Sequence, residues 1–232
     1  MVKKGIVLGI GLVVLVLVGL LYTAVDASAQ PDGGPAVAEQ ATLCVNPGGT
    51  GGCYASVQEA VNAAADGATI RVAQGTYYGT VVLTKSVTLE GGWDTDFTAR
   101  DWEAYVTTLD AQRAGSVIQV HGLVSPTIEG FVITGGDGSA PLGWGGGIEV
   151  YGDFAKGRGT VTIRHNVITG NIACRLDTCQ GEGGGIRIGI STAVIEYNSV
   201  ISNVARLSGD GGGRGGGIMI GWMGSASLIG NT

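Results

Sequence analysis

The stretch IRHNVITGN, Ile163 to Asn171, returns 32 residues later as IEYNSVISN, Ile195 to Asn203, with Asn at the same two offsets. A frame of this kind constrains the fold more than any other feature of the chain. It reads as one supersecondary unit stacked on copies of itself. Short apolar words bounded by Gly, Asn or Asp extend the pattern in both directions, among them TIRV (69–72), SVTLEGG (86–92), SVIQV (116–120), TIEGFVITGG (127–136), GIEV (147–150), GIRIGI (185–190), GIMI (217–220) and ASLIGN (226–231). Strands dominate, and after the first unit no segment carries a helical period.

Two series of equivalent positions are expected. Leu89, Ile128, Ile163, Ile195 and Leu228 are spaced 39, 35, 32 and 33 residues apart; Ile70, Leu109, Ile148, Ile186 and Ile218 are spaced 39, 39, 38 and 32. Each unit would hold about three short strands, with the unequal spacing absorbed in loops such as GGDGSAPLGWGGG and SGDGGGRGGG. Such strands cannot bury an apolar face alone. Stacked in parallel, each bonds to its counterpart above and below while Ile, Val and Leu point into a shared core. The Asn residues then fall one coil apart. Asn166, Asn198 and Asn231 would form one side-chain ladder and Asn171 and Asn203 a second, because Asn tolerates left-handed backbone at a bend and its amide both donates and accepts. In the preceding coil Phe131 stands where the first ladder would continue, so the ladder is expected to start at Asn166.

The chain of 232 residues carries 44 Gly, 14% charged residues and a formal charge of −6, which is not the make-up of a nucleic-acid binder. It opens with Lys3 and Lys4, an apolar run from Ile6 to Leu21, and ASA at Ala27 to Ala29. That order of charged, apolar and small residues predicts a secretory signal over 1–29, cleaved after Ala29; the competing reading is an uncleaved membrane anchor. Cleavage would remove Lys3, Lys4 and Asp26 and take the charge from −6 to −7. Residues 30–42 read as a linker and 43–232 as the repeat domain, which stops at SLIGNT in mid-coil. The domain is therefore expected to be truncated there, unless end-to-end self-association or something else covers the open edge. Four cysteines fall in two local pairs, Cys44 with Cys53 and Cys174 with Cys179, as expected of two small disulfide loops in a secreted or cell-surface chain. Neither pair has the C-x-x-C spacing of a zinc site.

CYASVQEAVNAAADGATIRVAQGTY, Cys53 to Tyr77, resembles the opening of secreted bacterial members of the right-handed parallel β-helix, or pectin-lyase-like, superfamily, and the I-x-x-N-x-I coils resemble their later repeats. The likeness spans Leu43 to Thr232 and rests on scaffold motifs. It implies an all-β fold, a right-handed parallel β-helix solenoid with a short N-terminal capping helix. The residues give the helix a reading of their own: Ser56 and Glu59 form an S-x-x-E capping box, and Val57, Ala60, Val61 and Ala64 share one face until Asp66-Gly67 ends it.

The resemblance also directs a search for chemistry. Pectate-lyase-like members imply clustered acidic calcium ligands and a proton-abstracting Arg. The candidates here are Asp137, Glu182 and Asp210, in successive loops ahead of GGGI words, with Arg187 and Arg214 nearby. Their offsets from the following GGGI differ, and isolated acids in Gly-rich loops commonly serve as solvated turn residues. Polygalacturonase-like hydrolysis would need neighbouring carboxylates and a G-H-G; the chain has VHG at 120–122 and no adjacent acid pair in the coils. No nucleotide, haem or flavin motif appears, so calcium is the one cofactor the resemblance brings in. Trp93, Trp102, Tyr105, Trp144, Tyr151 and Trp222 lie in or beside loops, where exposed rings could stack on sugar faces or else pack beneath the loops. Two functions are expected to compete. One is a non-catalytic secreted or cell-surface module that contacts glycans or other surface molecules. The other is a polysaccharide lyase or an N-terminal fragment of one. Neither involves nucleic acid, and a membrane enters only through an uncleaved leader.

Overall fold

The computed structural model describes residues 41–139, 144–207 and 212–232. The expected signal segment, most of the linker and Asp210 lie outside the described residues.

Strands shorter than seven residues, each ending at a bend, are wound into successive coils. β1 (Thr42–Val45) and α1 (Val57–Ala63), the one helix among the described residues, precede the first coil, made of β2 (Thr69–Ala73), β3 (Gly75–Tyr78) and β4 (Val81–Leu83). The next coils are β5 (Thr88–Trp93), β6 (Thr107–Asp110) and β7 (Ile118–His121), then β8 (Thr127–Glu129), β9 (Val132–Thr134) and β10 (Ile148–Tyr151). The last two full coils hold four strands each: β11 (Thr160–Arg164), β12 (Val167–Thr169), β13 (Ile172–Cys174) and β14 (Ile186–Gly189), then β15 (Thr192–Glu196), β16 (Ser199–Ile201), β17 (Val204–Arg206) and β18 (Ile218–Ile220). β19 (Ser225–Ile229) opens a further turn. Among the described residues the named strands pair with one another in parallel, each with its counterpart in the next coil. This yields a first sheet β1-β2-β5-β8-β11-β15-β19, a second β3-β6-β9-β12-β16, a third β4-β7-β10-β14-β18 and the pair β13-β17. The architecture is an all-β parallel β-helix solenoid.

The first sheet carries the regular series. Ile70, Leu89, Ile128, Ile163, Ile195 and Leu228 pair in unbroken register, and the first five are fully buried. Each buried aliphatic contributes about 1.5–3 kcal/mol, so this column is the spine of the core. The other series needs correction. Ile148, Ile186 and Ile218 do stack in the third sheet, but Leu109 belongs to the second and Ile70 to the first. The first coil places Ile70 directly against Leu89, and this short coil makes a constant step of 39 jump from sheet to sheet.

Both Asn ladders form, with their amides turned into the core. Asn166 Nδ2 donates to Asn198 Oδ1, and Asn198 Nδ2 to Asn231 Oδ1, each at 3.0 Å. Asn171 Nδ2 donates to Asn203 Oδ1, also at 3.0 Å. The same carbonyl oxygens accept backbone N–H groups, so one side chain satisfies the bend of the coil before it. Phe131 N donates to Asn166 Oδ1, which starts the ladder where the sequence places it. The left-handed backbone is not on the Asn residues, however. It falls on the residue before each: His165, Gly170, Tyr197, Ser202 and Gly230. The Asn supplies hydrogen bonds, and its predecessor turns the chain.

At the N-terminal end Ser56 caps α1 by accepting from Glu59 N, and Val57, Ala60 and Val61 are buried in the core. Cys44–Cys53 and Cys174–Cys179 are disulfide-bonded, which fits an extracellular chain. Among the described residues no helix is long and apolar enough to cross a membrane. The Gly-Gly-Ile words also have a steric cause. A Cβ on Gly146 would lie 2.4 Å from Gly184 O, and one on Gly184 2.4 Å from Gly216 O, so only glycine lets these loops stack.

Candidate functional site

In the third sheet, side chains alternate between core and solvent. Ile148 and Val150 point inward, which turns Glu149 and Tyr151 out. Register then places Gln119, Glu149, Arg187 and Met219 in one outward row and His121, Tyr151 and Gly189 in the next. The loop before GGGI brings Trp144 onto this face, where it stacks on Tyr151 with ring centroids 5.7 Å apart. Beyond Tyr151 the chain turns at Asp153, whose Oδ1 accepts from Ala155 N and Lys156 N, and this turn projects Phe154 outward. Phe154 stacks on Trp222 at 5.7 Å, and both rings are about two-thirds exposed.

These rings wall two adjoining clefts. The larger encloses 570 Å³ among Gln119, His121, Trp144, Glu149, Tyr151 and Phe154, with Asp153 at its edge. The smaller, of 250 Å³, shares Trp144 and Tyr151 and adds Glu182, Arg187, Arg214 and Trp222.

The electrostatics of the two clefts differ. In the larger one, burial pushes the Glu149 carboxyl up to about 7, against the pull of the Arg187 charge. Desolvation also lowers His121, which favours its neutral imidazole. Hydrogen bonds, led by that from Ala155 N, hold Asp153 below the usual carboxylate range and keep it ionised. In the smaller cleft Glu182 is buried between two cations, with Arg187 Nε at 3.1 Å and Arg214 Nη1 at 3.3 Å. Arg187 is only 3% exposed, and its guanidinium lies 3.8 Å from the centre of the Trp144 ring. A side chain at Gly189 would meet Arg187 Nη1 at 2.9 Å, so the glycine makes room for the buried cation.

The aromatic candidates separate into two groups. Trp144, Tyr151 and Trp222 come together on the third sheet. Trp93 and Trp102 lie elsewhere, Trp93 against Arg71 at 4.4 Å and Trp102 stacked on His165 at 4.6 Å. Tyr105 follows the same loop, its N–H bonded to Asp101 O. Of the proposed calcium ligands, Asp210 lies outside the described residues, and Asp137 and Glu182 stand in different columns. Asp137 aligns with Ile172 and bonds Ser139 and Arg175, whereas Glu182 aligns with Trp144 and Arg214. Among the described residues no group of three His, Cys, Asp or Glu could hold a metal ion. Arg187 and Arg214 do meet, on Glu182.

No protein-family model and no curated protein sequence matches the chain. The site therefore has to be read from its own chemistry. Glu149, Gln119, Asp153 and Phe154 escaped the sequence reading, and His121 entered it only as the centre of VHG. The signal for Glu149, Gln119 and His121 was the register of Ile118 on Ile148, which neither series of positions contained.

Proposed function

We propose that this chain is a secreted or cell-surface β-helix module of pectin-lyase-like type that contacts glycans through the aromatic clefts of its third sheet. The observation that carries this reading is the gathering of Trp144, Tyr151, Phe154 and Trp222 around a 570 Å³ cleft and its smaller neighbour. Flat apolar rings beside hydrogen-bonding side chains match the two kinds of surface a sugar presents. Exposed rings at Phe154 and Trp222 cost the fold little and are available to a ligand. The two disulfides support export. The test is affinity electrophoresis of the full chain in gels containing soluble polysaccharides. Phe154→Ala with Trp222→Ala is expected to abolish retardation, while Trp102→Ala on the other face leaves it intact. Equal retardation of all three proteins would contradict the assignment.

A lyase reading draws on Arg187 and Arg214 beside the smaller cleft. Both guanidiniums are committed to Glu182, and a proton-abstracting Arg would have to leave it. That reading expects an unsaturated product absorbing in the ultraviolet from an acidic polysaccharide, lost in Arg214→Ala. No change in absorbance would exclude it.

A further inference from the structure

The larger cleft differs from a binding site for acidic polymers in its charge. Its lining contains two carboxylates, Glu149 and Asp153, the imidazole of His121, the amide of Gln119 and three rings, and no Lys or Arg. Neighbouring cations already have carboxylate partners, although Arg187 Nη1 makes no hydrogen bond among the described residues. Lys156 pairs with Asp153 at 3.4 Å and is mostly exposed, and Arg187 is held by Glu182 beneath the Trp144 ring. Glu149 makes no hydrogen bond or ion pair among the described residues, so its carboxyl is left for a ligand. Bringing a third carboxylate or a sulfate into this lining would set like charges together in a partly dry cleft, which costs more than the same approach in water.

We infer that the larger cleft selects an uncharged glycan, with Trp144, Tyr151 and Phe154 stacking on sugar faces, Gln119 and Glu149 meeting hydroxyl groups, and Glu149 and Asp153 excluding uronates and sulfated sugars. This rests on the glycan-contact reading above and adds the ligand's class. Hydroxyl groups suit Glu149 in either protonation state: as a carboxylate it accepts their hydrogen bonds, and as a neutral acid near its pKa of about 7 it also donates one.

The full chain would be run at low ionic strength and pH 8 against an uncharged β-glucan, an uncharged galactomannan, polygalacturonate, a sulfated galactan and a cationic glucan carrying quaternary ammonium groups. Low salt keeps any repulsion unscreened. The expected result is retardation by at least one uncharged polymer and none by the acidic ones. Glu149→Gln with Asp153→Asn should preserve that retardation and allow an acidic polymer to bind. Phe154→Ala, on an exposed ring that the fold does not need, should weaken uncharged binding by about threefold to tenfold. Tighter binding of an acidic or cationic polymer by the unaltered chain would overturn the selectivity and leave glycan contact standing. So would continued exclusion of acidic polymers by the double variant. Failure to bind any of the five would remove both.

Discussion

Glu129 and Glu149 occupy outward positions of neighbouring sheets in the same coil, yet their surroundings are opposite. Glu129, on the first sheet, is buried between two guanidiniums: Arg100 Nη1 lies 2.6 Å from one oxygen, and Arg164 Nε bonds the other. Glu90, one coil earlier, is likewise faced by Arg71 and Arg100. Glu149, on the third sheet, has no such partner among the described residues, and its neighbour Arg187 is bound to Glu182 instead. One face of the solenoid compensates its charges and closes on itself. The other leaves a carboxyl, an imidazole and several rings facing a cleft. The scaffold is common to both, and the proposed glycan contact is assigned to the uncompensated face.

The largest expected effect tests the scaffold side of this comparison. Asn198→Ala removes an amide that accepts from Asn166 and donates to Asn231, Ile163 O and Glu196 O. Several buried groups lose partners at once, so unfolding in urea should show a loss of about 3–5 kcal/mol. The loss should be the same whether or not a glycan is present.

Next in size is the contrast between the two acids. Glu129→Gln weakens two charge-assisted contacts and should destabilise by about 1–3 kcal/mol at pH 8. Glu149→Gln should do the reverse. Because the folded Glu149 titrates near 7, above the ordinary 4.5, the folded chain holds more protons than the unfolded one between those values. Stability is therefore full below about pH 4.5 and declines as pH rises through 7. The Gln variant escapes this loss. It should match the unaltered chain at pH 4.5 and exceed it by about 2 kcal/mol at pH 8, allowing for screening in an open cleft. Parallel stability curves for the two proteins would break the contrast.

The smallest effect concerns Phe154, whose ring is 67% exposed. Phe154→Ala should change stability by less than about 0.5 kcal/mol. A larger loss would mean that the ring serves the fold rather than a ligand.

Much of the scaffold was legible because its signals are local and repeat. Leu89, Ile128, Ile163, Ile195 and Leu228 share one column of the first sheet, and the Asn ladders follow from the same frame. The second series failed at Ile70 and Leu109 because coil lengths vary, and one short coil shifts these first two matches to other sheets before Ile148, Ile186 and Ile218 fall into one. The bend geometry was assigned one residue late, since the Asn is visible in the pattern while its predecessor, His165, Tyr197 or Gly230, is not constant. The site was legible only as aromatic residues near loops. Trp144, Tyr151 and Trp222 and the pair Arg187 and Arg214 were visible one by one. What joins them is register across coils: Gln119 beside Glu149, and Glu149 beside Arg187. Glu149 and His121 look like ordinary outward residues of alternating strands, and only the neighbouring coils and the loop above give them a cleft.

The central claim is that ligand contact belongs to the uncompensated face. The most direct measurement is a titration of the isotope-labelled chain with a soluble uncharged oligosaccharide, followed residue by residue by amide NMR shifts. The account predicts changes concentrated at Gln119, His121, Glu149, Tyr151 and Phe154, with Glu90, Glu129 and Arg164 unmoved. Shifts centred on the Glu129 face, with the third sheet silent, would contradict it.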